Sequence, residues 1–162
     1  DSVNSACNSY LAALKIQQEI DSQLGVAACH GYLAQTMIRV EKFDRGVALA
    51  GIAQSILRRI EDRFSQRSVL MILGEGFQGI EENQAAFLAL LWAWHISEEI
   101  GMPDAAIVGK MVKESAPDLD ISPPIPDDML NDAQEQIEQV IRKANERLTE
   151  RGEGLYDPLE GA

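Results

Sequence analysis

The stretch EENQAAFLALLWAWHISEEI, residues 81–100, decides the fold. From Ala85 to Ile96 it is apolar except for His95, and its polar residues sit at the two ends. Such a run is too short to span a bilayer. It reads as a helix that is apolar nearly all round, which belongs at the centre of a bundle. Trp92 and Trp94 stand two apart, so they project from opposite sides and each needs a neighbour.

Outward from this segment the apolar residues recur with a helical period. Toward the N-terminus, Val3, Cys7, Tyr10, Leu11, Leu14, Ile20 and Leu24 make a stripe over residues 4–24, with Gly25 as the expected stop. A second helix is expected over 26–42, weakened at Gly31 by about 1 kcal/mol relative to Ala. Asp44 is placed to cap a third, with Leu49, Ala53, Ile56, Leu57, Ile60 and Phe64 on its inner face. Arg58, Arg59, Arg63 and Arg67 crowd its far end, interleaved with Glu61 and Asp62, which argues for a salt-bridged face rather than a basic patch. Ser68 is placed to cap the run 69–73. Gly101 ends the central helix, and Pro103 stands where the next would begin. No internal repeat is evident.

Toward the C-terminus, residues 117–127 form a stiff, extended linker around Ser122-Pro123-Pro124-Ile125-Pro126. A last helix over 128–151 carries a narrow seam on a charged rod, and residues 152–162 form a flexible tail. The expected fold is therefore all-α: a compact bundle of about six to seven helices. Residues 1–116 make the core domain, to which the linker, the amphipathic helix and the tail are appended.

The chain has 26 acidic and 14 basic side chains, a net charge of −12. Residues 117–162 alone hold 12 acidic groups against 4 basic ones. Such a field repels nucleic acid and anionic membranes. The partner it leaves is another protein, or a second copy in a homodimer. The cytoplasm is the favoured compartment, with a secreted or periplasmic site open.

Chemistry is thinly signalled. Gly74-x-Gly76-x-x-Gly79 precedes a helix, as a phosphate-binding loop does. Yet no strand ending in an acid follows, and Glu75, Glu81 and Glu82 would crowd a phosphate with negative charge. Glu81 and Glu82 are the weak candidates for Mg²⁺. His30 and His95 are the only histidines, in no ligand spacing. Neither a catalytic set nor a cofactor is expected. The leading expectation is a non-catalytic interaction protein, whether adaptor, assembly subunit or inhibitor. Its contact residues would be Leu130, Ile137, Val140, Ile141, Leu148, Leu155, Tyr156 and Leu159, since an apolar seam must be buried in cis or in trans. One alternative is an enzyme holding a nucleotide or phosphate through the Gly74–Gly79 loop or through Mg²⁺ on carboxylates. Another is a secreted or periplasmic binding or immunity-type protein with a Cys7–Cys29 disulfide.

Overall fold

The computed structural model describes residues 2–159 of the 162 and is all-helical over that range. It contains α1 (Ser2–Glu19), α2 (Gln23–Arg39), α3 (Phe43–Arg59), α4 (Arg63–Gly79), α5 (Asn83–Glu99), α6 (Ala105–Ser115) and α7 (Asp127–Glu150). No described helix is long and apolar enough to cross a membrane.

The first five helices end alike. A β-branched residue (Ile20, Val40, Ile60, Ile80 or Ile100) is followed by one in the left-handed region. These are Asp21, Glu41, Glu61, Glu81 and Gly101, with φ of 53°, 59°, 58°, 61° and 68°. The next backbone N–H then reaches back to the last turn, as in Ser22 to Gln17 O and Lys42 to Met37 O, both 2.9 Å. This is the Schellman closure, which satisfies carbonyls that a helix end leaves free. It recurs every 20 residues and turns each helix back on its predecessor. The chain thus has a structural repeat where none was expected. The usual marker of the left-handed position is glycine, and four of these five positions hold an acid instead.

Several expected boundaries move for the same reason. Gly25 does not stop a helix; its N–H is capped by Ser22 Oγ at 3.1 Å, inside the first turn of α2. Asp44 is not a cap but lies inside α3, facing Arg147 and Arg151. Ser68 lies mid-helix, and the cap of α4 is Asp62, which accepts from the Ser65 N–H at 3.0 Å.

Successive helices pack as hairpins, and α2 also touches α4. This leaves α1, α3 and α5 on one side and α2 and α4 on the other. Helix α5, packed between α4, α6 and α7, is buried continuously from Leu88 to Trp94. Trp92 lies beneath the Arg58 guanidinium, 5.8 Å from the ring centroid. Trp94 faces α6, where Gly109 leaves room for the indole.

Helix α7 lies across α3 and α5. Ile125 N–H donates to His95 Nδ1 (3.1 Å), and Gln84 bonds to Gln136 (2.9 Å). Arg58 then reaches Glu138, and Arg147 pairs with Asp44 (2.6 Å). The helix therefore runs against α5 and crosses diagonally to the start of α3. Ala133, Ile137, Val140, Ala144 and Leu148 are buried along it, and Ile141 fits over the bare backbone of Gly51. The chain continues to α1 and α2, where Tyr156 meets His30 and Leu159 is buried. Linker, α7 and tail thus all contribute to one core. Glu160–Ala162, the end of the expected flexible tail, lie outside the described residues.

The left-handed turns generate a prediction. A non-glycine residue costs roughly 1 kcal/mol there, partly offset by the greater freedom glycine has in the unfolded chain. Glu61 is exposed. Glu61→Gly should raise the urea midpoint, corresponding to about 0.5–1 kcal/mol of added stability. A lower midpoint would contradict this account of the turn.

Candidate functional site

The residues singled out by sequence fall in three places. Gly74, Gly76 and Gly79 are not in a loop but in the last two turns of α4, where helix contacts use them. An added Cβ would lie 2.8 Å from Val47 Cγ2 at Gly76 and 3.4 Å from Leu90 at Gly74, and it would collide with the Phe43 ring at Gly79. The glycines let α3 and α5 approach α4. The expected Gly74–Gly79 phosphate loop is therefore absent. Glu81 and Glu82 lie in the turn between α4 and α5, and no cluster of three or more potential metal ligands occurs among the described residues. Cys7 and Cys29 are buried free thiols rather than a disulfide, and burial raises the pKa of both.

The expected contact residues do come together, along the diagonal of α7 and the tail, but they turn inward. Ile137, Val140, Leu148 and Leu159 are buried. Leu130, Ile141 and Leu155 pack against the core at its edge. Tyr156 is half exposed, its hydroxyl donating to His30 Nε2 at 2.8 Å. His30 Nδ1–H in turn donates to Val26 O, also 2.8 Å, because a carbonyl can only accept. Burial lowers the His30 pKa and raises that of Tyr156. At the C-terminal end of α7 itself, burial alone would raise the Asp44 pKa. The guanidiniums of Arg147 and Arg151 outweigh it and hold the carboxyl below its ordinary value.

The opposite side of the molecule is different. Between α2 and α4 runs an apolar groove of about 490 Å³. Leu24, Ala28 and Tyr32 form one wall and Phe64, Ser68 and Ile72 the other. Each wall is a one-turn ladder, and the two ladders are the same positions displaced by 40 residues, or two helix–turn units. Ala27, Gly31, Val69 and, from α3, Leu57 make the floor. Leu24, Tyr32 and Phe64 are 50%, 55% and 59% exposed, a high value for large apolar side chains side by side. Tyr32 is nevertheless held in place: its ring stacks on Tyr10 at 5.4 Å, with the planes 13° apart.

Sequence reasoning missed this groove. It placed Leu24 and Phe64 on inward stripes of other helices and gave Tyr32 no partner. The available signal was the pairing of these off-stripe apolar residues at a 40-residue offset. No protein-family model, no curated protein and no solved structure matches the chain.

The His30 contact carries a pH prediction. The folded pKa lies below the ordinary 6.5, so the unfolded chain binds the proton first as pH falls. Stability is full above about pH 6.5 and declines below it until the folded form also titrates. Thermal unfolding between pH 7.5 and 5 should show this decline, and His30→Gln should flatten it. An unchanged slope in the variant would show that His30 is not its source.

Proposed function

We propose that this protein is a non-catalytic interaction module that docks a helix of a partner protein in the groove between α2 and α4. The observation carrying this proposal is the contrast between the two faces of the helix array. On one face an amphipathic helix, α7, already fills the space across α3 and α5. On the other, an apolar groove stays open to solvent, walled by the uncharged side chains of Leu24, Ala28 and Tyr32 and of Phe64, Ser68 and Ile72. Apolar grooves between helices take amphipathic helices, whose apolar residues recur at i, i+3 or i+4, and i+7. The fixed Tyr32 ring adds contact area at little entropic cost, as rigid aromatic anchors do at interfaces. The α7 seam, the other surface that sequence pointed to, is occupied in cis.

Nucleotide chemistry has less support, because its proposed loop is a helix and its glycines are contact points. A second copy of the chain is the alternative occupant, and solution mass distinguishes it.

Selection of displayed helical peptides on the full chain tests this. Enriched peptides should carry an apolar seam, bind the monomer, and lose at least tenfold in affinity on Phe64→Glu, an exposed position whose change spares the core. Enriched peptides that bind Phe64→Glu equally well, or a protein that is dimeric by light scattering and monomeric as Phe64→Glu, would replace the proposal.

A further inference from the structure

Helical glycines in this chain mostly answer to a neighbour. At Gly46, Gly51, Gly76 and Gly109 an added Cβ would fall 2.6–2.8 Å from Ile38, Ile141, Val47 or Trp94 respectively, so packing forbids it. Gly31 is different. It sits mid-helix in α2, where the nearest atom to an added Cβ is Val69 Cγ2 at 3.8 Å, an ordinary contact. Glycine in a helix interior costs roughly 0.5–1 kcal/mol relative to alanine. The fold thus gains nothing from glycine here. What the missing side chain provides is depth, because Gly31 is on the floor of the α2–α4 groove, beside Tyr32.

Charge is arranged around the same groove. The turns leading into α2 and α4 carry Asp21 and Glu61, and the turns leaving them carry Glu41 and Glu81. All four side chains are exposed. Between these ends, Glu75 is the one charged residue lining the groove. The groove is therefore apolar along its length, and at each end the acids (Glu19, Asp21, Glu61 and Asp62; Glu41, Glu81 and Glu82) outnumber the neighbouring bases (Arg59 and Arg63; Arg39 and Lys42). From Leu24 to Gln35 it extends about 16 Å at 1.5 Å per residue, roughly three helical turns.

We infer that the occupant is an amphipathic helix of about three turns with basic residues at both ends and one bulky apolar side chain seated on Gly31. This rests on the docking function proposed above and specifies the chemistry of the partner. Gly31 is then a specificity-determining position, kept bare for the ligand at some loss of stability. The terminal basic residues act mainly on association rate and selectivity, so their contribution fades with salt.

The test uses peptides enriched on the full chain and three variants of it. Aligned peptides should share a Leu, Phe, Trp or Met at one central position and Lys or Arg near both termini, and should bind more weakly as salt rises. Gly31→Ala should raise the melting temperature by about 2–4 °C while weakening binding roughly tenfold, the scale of one methyl group too many in an apolar pocket. Ala28→Leu, at an exposed wall position, is a second block that leaves the core untouched and should weaken binding likewise. Peptides weakened by Phe64→Glu but indifferent to Gly31→Ala would overturn the anchor and leave the docking groove standing. Peptides indifferent to Phe64→Glu would remove the groove itself. Acidic or neutral termini among the enriched sequences, or binding unaffected by salt, would overturn the charge assignment.

Discussion

The left-handed residue closing each of the first five helices is the constraint on which the other features depend. It halts the helix, recovers two of its carbonyls and reverses the chain within three residues. Because the closure recurs at a fixed interval, equivalent positions come round every 40 residues facing the same way. Leu24 and Phe64, Ala28 and Ser68, and Tyr32 and Ile72 are such pairs. A groove with matched walls is the geometric outcome of that interval.

A two-sided array must do something with both sides. One side is covered in cis. The narrow seam of α7 is enough to hold it because the contact is finished with polar fasteners: His95 to the linker, Arg58 to Glu138, and Asp44 between Arg147 and Arg151. Close approach at Gly51 and at Gly109 fixes α7 and α6 at their distances. Among the described residues, the other side has no such cover. The proposed function follows from this asymmetry, with α7 as the chain's own example of a helix lying across two others.

Much of the fold was legible in the sequence, and the reasons are local. The apolar run around Trp92 and Trp94 marked α5 as a helix buried on nearly every side, and the spaced seam of Ile137, Val140 and Leu148 placed α7 to within a residue at each end. The repeat was not legible, because Asp and Glu at left-handed positions look like ordinary surface acids, and Gly25 drew the first stop away from Asp21. The Gly74–Gly79 spacing was ambiguous for a related reason. Glycine serves loops and helix crossings alike, and only the neighbours Val47, Leu90 and Phe43, all distant in sequence, tell them apart. The groove was hidden because its walls come from two helices and its floor from a third.

The most direct test of the central claim is amide chemical-shift mapping of the full chain with a selected helical peptide. The account predicts shifts confined to α2 and α4 around Ala28, Gly31, Tyr32, Phe64 and Ile72, with the resonances of α7 unmoved. Shifts centred on α3 and α5, with loss of the native α7 signals, would contradict it: the docking face would then be the one that α7 covers.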